Sequence, residues 1–154
     1  MSDSNVKTVK INWQYNTSEY DKNCVDYNHI IDNIYVGNIF SFKDTQFMEG
    51  LDQIISLVEP PKEYPNCIQI LFEDMDYVDV IPYAECVFPL LDTGKKTLVH
   101  CFAGCSRSCA VVLYYIMKKY NKTFQEAHDI LKANRIEMCI NRGFIKALTS
   151  YGSI

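Results

Sequence analysis

The chain has 154 residues, 48% of them hydrophobic and 22% charged, with a formal net charge of −4. That is room for one ordinary domain and is not the composition of an intrinsically disordered chain. No apolar run approaches the roughly 20 residues of a membrane helix, and MSDSNVKTVK at the N-terminus offers neither a signal-peptide core nor a second-position glycine for myristoylation.

The expected location is therefore the cytoplasm, with the nucleus left open and no membrane contact. The seven cysteines are odd in number and come with no export signal, so reduced, small core thiols are expected rather than a disulfide framework. No Cys-x-x-Cys pair or histidine cluster has zinc spacing, so neither metal nor cofactor is expected. Charge is unevenly spread: residues 40–92 carry two Lys against eleven Asp/Glu, and residues 93–154 carry ten Lys/Arg against three Asp/Glu. A basic half facing an acidic half suits an anionic substrate with acids placed for proton transfer; complementary solvated faces explain it equally well.

In chain order, residues 6–15 end in the alternation Val9, Ile11, Trp13, Tyr15, which predicts a half-buried strand. Residues 16–28 are polar and read as a loop, so residues 1–28 form an extension and 29–154 the domain proper. Ile34 to Gly37 is a short strand. Residues 41–49 predict a helix stopped by Gly50. Ile54 to Val58 is an apolar strand ended by Pro60-Pro61, and Cys67 to Phe72 is another. Asp79 can cap a helix over 80–91, with Pro82 in its first turn and Pro89 expected to kink or shorten it.

Thr97 to His100 is a strand that runs straight into a Cys/Gly/Ser loop. Residues 107–120 are apolar nearly all round, the pattern of a central buried helix. Thr123 and Glu126 form a capping box for a helix to about residue 133, and Asn141 can cap a last helix over 143–150. Strands alternating with helices predict a single α/β domain: a central, mostly parallel sheet flanked by helices. Ligands of such sheets bind beyond the carboxyl ends of the strands, where the loop at 101–107 falls.

The segment His100-Cys101-Phe102-Ala103-Gly104-Cys105-Ser106-Arg107-Ser108 carries the chemistry. Backbone N–H groups of Phe102, Ala103, Gly104, Cys105 and Ser106 can curl into a nest around phosphate oxygens, and Gly104 permits the tight turn. The following helix adds the positive end of its dipole. Arg107 supplies a planar fork for two oxygens at once. The same donors favour the thiolate of Cys101, the form that attacks.

This segment fits the pattern HCxxGxxRS of the cysteine-based phosphatases and resembles the dual-specificity protein phosphatases in particular. Ile34 to Asn38 looks like that family's opening strand, Asp74 to Tyr83 resembles its general-acid loop and following helix, and Asn141-Arg142-Gly143-Phe144 resembles its late Asn-x-Gly-Phe. The likeness covers roughly residues 29–151. Three positions depart from it: the stretch from Asp74 to Cys101 is short and contains Pro89, Ile140 stands where a proline precedes Asn141, and Ala147 replaces a glutamine.

The resemblance implies hydrolysis of phosphotyrosine and phosphoserine/threonine monoesters in proteins through a cysteinyl-phosphate. It makes Cys101 the nucleophile, Arg107 the phosphate clamp, Asp74 the general acid (Glu73 and Asp76 being its neighbours) and Ser108 the hydroxyl that assists the leaving thiolate. His100 would orient the loop. Asn38 would support it, or merely end a strand. Near Arg135 some members of the family hold a second anionic group, an exposed helix-end cation being the alternative. Cys105 would form a reversible disulfide with Cys101 or simply point outward.

Phosphorylated proteins are the expected partners, with no nucleic acid. A phosphoinositide phosphatase would carry lysines in the loop, an RNA 5′-phosphatase a basic groove with stacking aromatics, and a phospho-binding adaptor would turn over little.

Overall fold

The computed structural model describes residues 25–152; the strand expected at 6–15 lies outside them. Five strands form one sheet: β1 (Tyr27–Ile31), β2 (Ile34–Gly37), β3 (Gln53–Ser56), β4 (Cys67–Gln69) and β5 (Thr97–His100), in the order β1-β2-β5-β3-β4. β2, β5, β3 and β4 run parallel, and β1 is an antiparallel edge. β5 lies in the middle because its four residues are all buried and can face protein on both sides.

Alternation along the strands divides the core in two. Val36, Ile55 and Val99 face the larger part with α3 (Arg107–Tyr120). Leu98 and Ile54 face a smaller one with Phe42, Met48 and Leu51. Ten residues of α3 are buried, as the all-round apolar sequence requires. α2 (Ile81–Leu91), α4 (Phe124–Asn134) and α5 (Arg142–Gly152) pack against it. The Thr123–Glu126 capping box is formed in both directions, and Asn121 closes α3 in the left-handed conformation at φ +54°. Among the described residues no helix is long and apolar enough to cross a membrane.

Several expectations need correction. Tyr27 and Asn28 belong to β1 rather than to a loop, so the sheet begins two residues before the expected domain start. β1 is a half-exposed edge specified by its hairpin partner, and its turn places Asp32 at φ +52°, a conformation aspartate tolerates. The helix expected over 41–49 is a 3₁₀ turn (Ile39–Lys43) followed by the short α1 (Thr45–Glu49), because Asp44 caps a new start by accepting from Phe47 N at 3.1 Å.

β4 ends at Gln69, not Phe72. Pro89 does not shorten α2, which runs on to Leu91. The carbonyl that loses its donor is that of Glu85, on the solvent side with Pro89, where water can satisfy it.

Candidate active site

The loop after β5 is shaped by what grips its carbonyls. Ile39 N donates to Phe102 O (2.9 Å), Arg135 Nε to Gly104 O (2.7 Å) and Cys139 N to Cys105 O (2.9 Å). In a planar trans peptide the next N–H points the opposite way. Ala103, Cys105 and Ser106 therefore turn their N–H groups away from the framework, as an anion nest requires. Gly104 sits at φ +71°, and a Cβ there would strike the Arg135 guanidinium and the backbone of Gly37, so only glycine fits.

Cys101 lies where β5 leaves the sheet, 2% exposed, its Sγ 3.2 Å from Ser108 Oγ in the first turn of α3. His100, wholly buried, faces the other way: Nε2 is 2.6 Å from Ser56 Oγ and Nδ1 is 3.2 Å from Cys101 O. Burial pushes its pKa down from 6.5 to about 4, helped by the Arg107 charge and opposed by the Cys101 carbonyl.

The folded imidazole thus stays neutral while the unfolded one takes up a proton. Its contribution to stability is intact above about pH 6.5 and is lost as pH falls from there towards about 4. Between pH 7.5 and 5 this one group should cost about 2 kcal/mol of unfolding free energy. Urea midpoints of wild type and His100→Asn at those two pH values check this. The variant should lose less stability on acidification, and parallel losses would refute it.

Arg107 opens α3 and reaches across the loop, its Nη1 donating to Phe72 O at 3.0 Å. Its Nε is buried without a hydrogen-bond partner among the described residues. Phe72 leads into the acidic turn. There Glu73 accepts from Tyr77 OH (2.8 Å), while Asp74 Oδ1 accepts from Asn141 Nδ2 at 2.7 Å. Asn141 N donates to Ser106 Oγ (3.0 Å), and Asn141 Oδ1 caps α5 by accepting from Phe144 N (2.9 Å). One asparagine so joins the phosphate loop, α5 and Asp74. The turn lies directly on α5, since a side chain at Gly143 would collide with the Asp76 backbone.

Arg135 is neither an exposed helix-end cation nor turned towards a second substrate anion. It is wholly buried, with Nε on Gly104 O, Nη1 on Asn28 Oδ1 (2.6 Å) and Nη2 on Asp26 Oδ2 (3.1 Å). Its donors are committed to holding the loop onto β1. Asn38 is buried too and shares Asp26 with it: its N–H donates to Asp26 O (3.0 Å) and its Oδ1 accepts from Ser41 Oγ (3.4 Å). Cys105 is half-buried, its Sγ 3.6 Å from Ala103 O, and burial together with nearby Cys101 raises its pKa. The sequence gives Asn141 a capping role and a place in the Asn-x-Gly-Phe likeness but no link to Asp74, and Ser56 no role, though a serine inside the apolar run Ile54-Ile55-Ser56-Leu57 is a signal of a buried polar partner.

A strand, an amide nest closed by arginine and a helix pointing its N-terminus at the nest form the scaffold of the cysteine-based phosphatases. Residues 66–154 match the family model described as dual specificity phosphatase, catalytic domain. The chain belongs to that family and is a cysteine-based dual specificity protein phosphatase. Protein 123R of Invertebrate iridescent virus 6, whose name includes the words tyrosine phosphatase, is 34% identical over 79% of this chain and 89% of its own. Dual specificity protein phosphatase 15 of Mus musculus is 30% identical over 80% of this chain, which spans 56% of that relative. A solved structure of DUSP15 superposes with a TM-score of 0.70 at 26% identity, covering 82% of this chain and 86% of that one.

Proposed function

We propose that the enzyme hydrolyses phosphotyrosine and phosphoserine/threonine monoesters of proteins through a cysteinyl-phosphate formed on Cys101. The observation that carries this reading is Cys101 Sγ beside Ser108 Oγ under a loop whose carbonyls are tied outward. The thiolate attacks phosphorus in line, the ester P–O bond breaks, and Asp74 gives its proton to the departing oxygen. Water, deprotonated by Asp74, then attacks the phosphoenzyme and frees phosphate. Ser108 donates to the thiolate as it leaves. Inward amides and Arg107 hold the equatorial oxygens throughout. The buried Arg107 Nε, without a partner among the described residues, supports this, because an unsatisfied buried donor costs about 1–3 kcal/mol that a phosphate oxygen would recover.

With Oδ1 of Asp74 engaged by Asn141, the transferable proton belongs on Oδ2. Asp74→Asn should lower kcat on a phosphotyrosine peptide by about 10²-fold and much less on an activated aryl phosphate, since a good leaving group needs little protonation. Steady-state rates on the two substrates check this. Equal losses, or the selective pattern in Asp76→Asn instead, would move the acid elsewhere.

The substrate class is tested by turnover on phosphotyrosine and phosphothreonine peptides, a phosphoinositide and an RNA 5′-triphosphate. Peptide turnover well above the other two is expected, since Phe102, Ala103, Cys105 and Ser106 put no lysine in the loop. Preference for the lipid or the RNA would overturn it. So would tight phosphopeptide binding without turnover.

A further inference from the structure

Sheet register brings a second polar group to His100, the residue before the nucleophile. Ser56 on β3 and His100 on β5 are direct partners in the parallel ladder, so their side chains stand side by side on one face. Both are wholly buried. Phe42 and the imidazole meet in a T-shaped contact, 4.8 Å between ring centroids, and Cys67 of β4 lies beside them with its Sγ 3.2 Å from Ser56 Oγ.

The direction of each hydrogen bond follows from what the groups can do. The carbonyl of Cys101 only accepts, so Nδ1 of His100 must carry the proton and donate to it. A neutral imidazole then has only a lone pair at Nε2, and Ser56 Oγ donates to that pair at 2.6 Å. With its own proton spent on His100, Ser56 Oγ accepts from the Cys67 thiol. The chain of donors runs one way, from Cys67 through Ser56 and His100 to the backbone of Cys101.

We infer that Ser56 is a positioning residue of this phosphatase: by gripping the Nε2 lone pair of His100, it holds the ring with Nδ1–H on the Cys101 carbonyl and so sets the aim of the Cys101 side chain. The inference rests on the proposed role of Cys101 as nucleophile. Without the serine, the imidazole loses its hold at Nε2 and can turn, so that Nδ1–H leaves the carbonyl oxygen. The peptide at the mouth of the loop is then released. Cys67 is dispensable to this device, since Ser56 donates to His100 with or without the thiol.

The test combines the imidazole nitrogen NMR signals of His100, the rate of Cys101 alkylation by iodoacetate, and kcat/KM on a phosphotyrosine peptide. Wild type and Cys67→Ala should both show the Nδ1–H form. Ser56→Ala should shift the His100 nitrogen signals away from the wild-type, hydrogen-bonded Nδ1–H pattern and lose about tenfold in both rates, the worth of roughly one hydrogen bond. Ser56→Thr, which keeps the hydroxyl, should restore the nitrogen signals and the rates. An Nε2–H wild type, a Ser56→Ala enzyme with unchanged rates, or a Ser56→Thr enzyme as slow as the alanine variant would overturn the inference. If Ser56→Ala fails to fold, the wild-type tautomer and the threonine variant decide. The tautomer is read without turnover, so failure of Cys101 as nucleophile, seen as activity surviving in Cys101→Ser, is told apart from failure of Ser56.

Discussion

Cys101→Ser should leave a folded domain with no measurable phosphatase turnover, a loss of about 10³-fold or more. Serine matches cysteine in shape, but its hydroxyl is not ionised near neutral pH and nothing beside it acts as a base. The nearest side-chain partner is Ser108 Oγ, another hydroxyl, and His100 turns its two nitrogens to Ser56 and the Cys101 carbonyl. The substitution adds no volume and places a polar atom next to a polar atom, so stability should change little. The nest is backbone, held by Ile39, Arg135 and Cys139, and it survives the exchange. Phosphate release should therefore vanish while the circular dichroism spectrum and the affinity for inorganic phosphate stay close to wild type. Residual turnover above about a tenth of wild type would remove Cys101 from the role. Loss of phosphate binding along with activity would show instead that the thiolate helps to shape the nest.

What the sequence revealed of this architecture depended on how local the cause was. Thr97–His100 and Arg107–Tyr120 were legible to the residue, because the β-branched and apolar Thr97-Leu98-Val99 and the apolar run from Cys109 to Met117 are local patterns. Residues Cys101 to Ser108 were legible because nest, nucleophile and arginine lie within one turn of contiguous chain. β1 was hidden: its half-buried Tyr27 and Asn28 carry little strand signal, and the partner that orders them lies across a turn at Asp32.

The contacts of the site that escaped notice join distant segments. Arg135 meets Asp26 and Gly104, Asn141 meets Asp74 and Ser106, and Ser56 meets His100. Each contact is set by sheet order or helix packing, and no spacing in the chain encodes it. Arg135 shows the consequence most clearly. At a helix end it reads as a solvated cation, and only the fold of β1 beneath it makes it a buried clamp.

Arg107→Lys should lose about 10²–10³-fold in kcat/KM although the charge is kept, the scale of losing one preorganised oxyanion donor. The guanidinium performs two tasks from one rigid plane. Nη1 holds Phe72 O, the start of the acidic turn, and buried Nε stands at the loop without a partner among the described residues. A lysine offers one compact ammonium on a flexible stem. It can approach the Phe72 carbonyl or the phosphate, but it cannot give two parallel bonds to phosphate oxygens while anchoring the turn. Two losses should follow: weaker binding of inorganic phosphate, and a less effective Asp74, whose segment starts from Phe72.

The second loss makes the two sites interdependent. Arg107→Lys combined with Asp74→Asn should cost clearly less than the product of the single losses on a phosphotyrosine peptide, because residues sharing one network do not act additively. Steady-state kinetics of the four proteins, with phosphate affinity measured alongside, test both parts. Near-normal turnover and affinity in the lysine variant would mean that the loop does not cradle phosphate through Arg107. Strictly multiplicative losses would confine Arg107 to the phosphate and leave the Phe72 contact without effect on the acid.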